Sequence, residues 1–136
     1  MAAVIYVADA FDEAPQAGCT RVILDDSAVY WFLYRYFEAA NLPPAKGELI
    51  DLYGGAAIGG YQLERLIEEL RMAEADARAR PAEWSVLLGW HGDKIERDAE
   101  RRAVLKRDDA LLLIGSILEL ADDAQKHGRK LISSGD

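Results

Sequence analysis

A chain of 136 residues, 51% hydrophobic and 29% charged, can bury about two thirds of its unfolded surface in one core and has the composition of a folded domain rather than a disordered tail. Its formal charge of −8 works against nucleic acid, whose phosphates need clustered lysine and arginine, and no apolar run approaches the ~18 residues of a membrane span. The single cysteine, Cys19, excludes an internal disulfide and the usual thiolate zinc sites; with no charged start or long apolar stretch at the N-terminus, the expected compartment is the cytoplasm.

In chain order, residues 4–7 (Val-Ile-Tyr-Val) read as a strand, and a polar stretch holding Pro15 and Gly18 leads to a second strand at about residues 21–24. Asp26 or Ser27 can cap a helix that runs to about Ala40 and stops before Pro43-Pro44. On that helix Val29, Phe32, Leu33, Tyr36 and Phe37 share one stripe, while Tyr30, Trp31 and Tyr34 lie off it. Residues 48–53 suit a short strand. The glycine-rich run at 54–60 then delivers the chain to a helix over residues 61–80, with Leu63, Leu66, Ile67, Leu70 and Ala73 inward and Arg65–Glu69 and Glu74–Arg78 paired outside. Residues 84–90, with a tryptophan near each end, read as a buried strand. The charged run 94–107 fits a solvated helix or a loose connection. Asp108 or Asp109 can cap a last helix whose apolar face includes Ala110, Leu111, Ile114, Leu118 and Ala121; Leu112, Leu113 and Ile117 widen it enough to imply burial on two sides. Gly128 ends this helix and residues 130–133 form a closing strand. The pattern predicts an α+β fold, one domain over residues 1–136, with a mixed sheet of about four to five short strands and three to four packed helices.

Motifs for chemistry are scarce. The glycine run fits neither GxGxxG nor GxxxxGK[ST] and lacks the lysine or hydroxyl of a nucleotide loop; it reads as a tight packed loop, with an anion site or a partner-contact loop as the alternatives. His127 falls in the last turn of a helix, where its charge favours the dipole. His91, followed by Asp93, stands at a strand end with no recognisable nucleophile or oxyanion motif. Asp25 and Asp26 can cap a helix or hold a divalent cation. No catalytic residue, metal or cofactor is expected.

The richest segment is residues 30–37, Tyr-Trp-Phe-Leu-Tyr-Arg-Tyr-Phe, which gathers six of the twelve aromatic residues into two helical turns. Such a stripe is either core or, for the off-stripe Tyr30, Trp31 and Tyr34, a recognition patch, because rings with a polar tip are enriched at interfaces. Residues 1–60 carry eight acids against three bases, so the patch would have an anionic rim of Asp26, Glu38 and Asp51 suited to a basic partner.

With that aromatic segment, the Ile50-Asp51-Leu52-Tyr53-Gly54-Gly55-Ala56 stretch and the Trp84-Ser85-Val86-Leu87-Leu88-Gly89-Trp90 stretch, the chain resembles in character the immunity proteins that bacteria encode beside secreted or contact-delivered toxins. The resemblance implies tight one-to-one binding to a toxin domain, with no reaction performed. The expected function is neutralisation of such a partner, one with a basic surface, through Tyr30, Trp31, Tyr34, Asp26, Glu38 and Asp51. The alternatives are a small α/β enzyme using Asp25, Asp51, His91 and Asp93, or a homodimer joined through the aromatic helix; the protein is expected as a monomer or a homodimer, with neither nucleic acid nor membrane as partner.

Overall fold

The structure, a computed structural model, describes residues 2–9, 20–41, 50, 54–90 and 100–135. Nine elements follow in order: β1 (Ala2–Ala8), β2 (Val22–Asp25), α1 (Ala28–Ala40), β3 (Gly55–Ile58), α2 (Gly60–Ala79), β4 (Glu83–Trp90), β5 (Glu100–Lys106), α3 (Arg107–Lys126) and β6 (Lys130–Gly135). The fold is α+β, with three helices and two sheets among the described residues. In place of one mixed sheet there is a four-stranded sheet, ordered β2-β1-β6-β3, and a separate β4–β5 hairpin; every pairing is antiparallel.

Alternation along the strands sets the layers. Ala3, Ile5, Val22, Leu24, Ala56, Ile58 and Leu131 turn one face of the larger sheet into the main core, as period-two patterning requires. Helix α3 packs directly on this face against β1, β6 and β2; α2 lies against α3, and α1 against α2 and the hairpin. The opposite face holds a smaller cluster of Tyr6, Ala8 and Ile132 with Val4 and Ala57. Ser133 Oγ is buried on the core side and has no hydrogen-bond partner among the described residues, the type of group that costs stability when left unpaired.

The inward face of α2 follows the sequence pattern, with Leu63, Leu66, Ile67, Leu70 and Ala73 all buried. The two outer pairs also form, at 3.3 Å for Arg65–Glu69 and 3.7 Å for Glu74–Arg78, although Glu69 itself is buried at 6% exposure. Helix α3 begins at Arg107, so Asp108 and Asp109 occupy its first turn rather than its cap, where a carboxylate still favours the positive end of the helix dipole. Gly128, at φ 63°, takes the left-handed conformation that ends the helix without a Cβ penalty. Leu112 departs from the expected burial on two sides: it is 74% exposed.

The expected strand at residues 48–53 lies outside the described residues except for Ile50, which is buried. The glycine run, read as a packed loop, holds a strand, in which Ala56 and Ile58 supply the alternating inward positions opposite Ser133 and Leu131. In the charged run 94–107, residues 100–106 form β5 rather than a helix, because Ala103 and Leu105 point inward at a spacing of two while Arg102, Val104 and Lys106 point out. The 84–90 segment is a strand, but half-buried: Trp84 and Val86 pack on the core and Ser85 faces outward. A bulge between Leu87 and Gly89 shifts its register.

Candidate functional site

Helix α1 is the densest aromatic surface in the protein, and its flanks differ. Phe32, Leu33, Tyr36 and Phe37 are buried, and so is Tyr30, at 4% exposure, with its hydroxyl directed at the Ile50 carbonyl 3.5 Å away. Tyr30 was expected on the outer surface; the packing of Ile50 and Phe37 around it closes it off, and it supports the patch from beneath rather than presenting itself. Along the helix only Arg35 and Glu38 are exposed.

Trp31 and Tyr34 remain half-buried. Their ring centroids lie 5.7 Å apart, and each ring also packs on Tyr30, at 5.3 Å and 6.0 Å, within the range of favourable ring contacts. Ser27 holds the N-cap position of α1 but makes no side-chain capping bond. Asp26 is likewise not a cap: its Oδ1 accepts the Trp31 indole Nε1–H at 2.8 Å, which fixes the indole plane beside an exposed carboxylate. Asp26 also borders a shallow cavity of about 500 Å³ between the start of α1 and β5, shared with Asp25, Val29, Leu88, Val104 and Asp109. The structure therefore brings together Asp26, Trp31 and Tyr34, with Tyr30 below and Glu38 further along the helix. Asp51, His91, Asp93 and Cys19 lie outside the described residues.

On the other flank stands a cluster the sequence reading missed. Asp76 of α2 accepts hydrogen bonds at Oδ2 from Arg35 and, at 2.8 Å, from the Tyr36 hydroxyl, while Arg80 Nε donates to its Oδ1 at 3.3 Å. Arg35 also donates to the Tyr36 oxygen at 2.8 Å. The Arg80 guanidinium sits 5.4 Å from the Trp84 ring centroid and 6.0 Å from that of Phe32, and those two rings meet edge to face at 5.3 Å, a cation–π arrangement that ties α1, α2 and β4 together. Burial works to raise the Asp76 carboxyl, but the hydrogen bonds from Tyr36 and Arg80 and the guanidinium charges outweigh it and hold the group below its ordinary value. Burial, followed by donation to Asp76, pushes the Tyr36 hydroxyl up; the bond to Tyr36 leads the upward shift of Arg35. With both carboxylate oxygens engaged by groups of its own chain, this cluster is a clasp. Its sequence signal was the Asp76–Arg80 spacing of four on α2.

The glycine run contributes a different feature. Gly59 caps α2 and Gly60, at φ 58°, opens it. A Cβ at Gly59 would meet Lys130 Cγ at 3.1 Å, so the absent side chain lets the lysine stem lie across the turn. Around it is a cavity of about 600 Å³ lined by Gln62, Gln125, Arg129 and Lys130 among others; Arg129 is already committed to Asp9 at 3.1 Å. His127 sits at the C-cap of α3, its Nδ1 2.8 Å from Asp123 Oδ1. Among the described residues no group of three or more His, Cys, Asp or Glu side chains is placed to hold a metal, and no helix is long and apolar enough to cross a membrane.

No protein-family model, curated protein or solved structure matches the chain.

Proposed function

We propose that this chain is a non-enzymatic binding protein of the immunity type, which neutralises a bacterial toxin domain in the cytoplasm by direct contact. The observation that supports this reading is the half-buried Trp31–Tyr34 pair, held by the Asp26 carboxylate at the start of α1. An aromatic pair fixed in place before binding loses little side-chain freedom on association, and rings of this kind dominate binding hot spots. Asp26 and Glu38 supply the anionic rim, which steers a basic surface towards the rings. Tyr30 acts from below by fixing both rings.

The test is calorimetric titration of the purified chain with the toxin domain encoded next to its gene. Replacing both rings, Trp31→Ala with Tyr34→Ala, is expected to weaken binding by at least about 30-fold, the loss of one hot spot, with the fold intact by circular dichroism. Unchanged affinity in the double variant would overturn the placement.

A further inference from the structure

We infer that the outer edge of β2 is a self-pairing surface through which two copies of this chain join their four-stranded sheets into one eight-stranded antiparallel sheet. Strand β2 ends the order β2-β1-β6-β3 and, among the described residues, pairs only with β1. An open edge presents backbone N–H and C=O groups to any incoming strand, and proteins guard such an edge by keeping it short, or with charged side chains, proline or a bulge. Val22–Asp25 is short but has neither proline nor bulge, and its register with Ala2–Ile5 is regular. The charges at Arg21 and Asp25 are of opposite sign, so they suit a second copy of this strand better than a foreign strand of a single charge. One side of this edge is wholly exposed, with Arg21, Ile23 and Asp25 in alternation, and Ile23 is 67% exposed. Beside it α3 projects Leu112 at 74% exposure, and a groove of about 320 Å³ runs between the two elements.

Charge selects a second copy as the occupant. In a continuous antiparallel sheet built on a two-fold axis, opposed residues share a face, so the axis must pass through a residue rather than between residues. With the axis at Ile23, Arg21 of each copy stands opposite Asp25 of the other, Ile23 meets Ile23, and Val22 meets Leu24. Moving the axis to Val22 sets Arg21 against Ile23; moving it to Leu24 sets Ile23 against Asp25. Only the first register places two opposite-charge cross-strand pairs around an apolar centre, and it brings the exposed Leu112 side chains of the two α3 helices to flank the join. This interface is separate from α1, and it needs no toxin to be observed.

Sedimentation equilibrium on the purified full chain tests it, with a dimer expected. Arg21→Asp sets acid against acid and should raise the dimer dissociation constant about tenfold or more; Arg21→Asp combined with Asp25→Arg should restore it. Register is read by oxidative cross-linking in a Cys19→Ser background: Ile23→Cys should link to itself across the axis, and Leu24→Cys should not. These readouts act on exposed positions, and the cross-link decides the matter even if a charge variant folds poorly. A wild-type chain that stays monomeric at its highest soluble concentration would overturn the inference. So would a dimer indifferent to both charge variants, one dissolved by Trp31→Ala instead, or a copurifying foreign protein released by Ile23→Lys.

Discussion

Two carboxylates meet aromatic side chains on opposite flanks of α1, and they end differently. Asp76 receives Arg35, Tyr36 and Arg80 and is held below its ordinary pKa by them. Asp26, on the exposed flank, receives the Trp31 indole. That contrast separates internal glue from recognition surface when both are built of rings and acids. A carboxylate whose two oxygens are held by arginines and a tyrosine of its own chain serves the fold, whereas an exposed one that orients a half-buried ring can still attract a partner.

The largest effect should come from neither carboxylate but from the packing between them. Phe37→Ala, at a fully buried position, is expected to cost about 3–5 kcal/mol in denaturant unfolding; a smaller loss would mean that α1 is less central than both flanks require. Asp76→Ala leaves the Tyr36 hydroxyl and two guanidinium groups without their acceptor and should cost about 1–3 kcal/mol. Asp26→Ala, by contrast, should stay within about 1 kcal/mol, because the Trp31 N–H can turn to water. If the two alanine variants were equally destabilising, the contrast between clasp and surface would fail.

Titration sharpens the same contrast. The folded-state pKa of Asp76 lies below its ordinary value of 3.8, so the stability it contributes is complete above that value and is lost as pH falls through the lower, folded one. The Tyr36 hydroxyl lies above its ordinary 10.0; its contribution is complete below pH 10.0 and is lost as pH rises through the folded value. Acid unfolding of Asp76→Asn, followed by tryptophan fluorescence, should therefore lack the part of the pH dependence that Asp26→Asn retains. The smallest expected change is that of Glu38→Gln: within about 0.5 kcal/mol for stability, while slowing association with a basic partner at low salt.

How much of this was legible in the residues depended on whether the deciding contact was local. Helix α2 could be read from Leu63, Leu66, Ile67, Leu70 and Ala73 because a single turn repeats the pattern. The stretch 100–106 misled: Glu-Arg-Arg-Ala-Val-Leu-Lys suits a solvated helix, and only the ladder to β4 makes it a strand. Tyr30 lay off the apolar stripe of α1, yet it is closed off by Ile50, twenty positions away in sequence. The Asp26–Trp31 link was half visible, since both residues fit the expected patch, but the indole's use of the carboxylate in place of a cap was not. Asp76 stood among many interleaved charges on α2; its separation from Arg35, forty-one positions, hid the clasp.

Strand β6, last in chain order, runs up the middle of the larger sheet between β1 and β3. During synthesis β1 can pair with β2 early, but its other edge and β3 must wait for the latest strand, and until then the floor under α3 is incomplete. A nascent chain stalled between α3 and Lys130 would carry a β1–β2 pair bare on the margin that β6 covers and a β3 without its partner strand, the species most exposed to chaperones and proteases. Deleting residues 130–135 should thus be far more damaging than the modest size of the removed piece suggests.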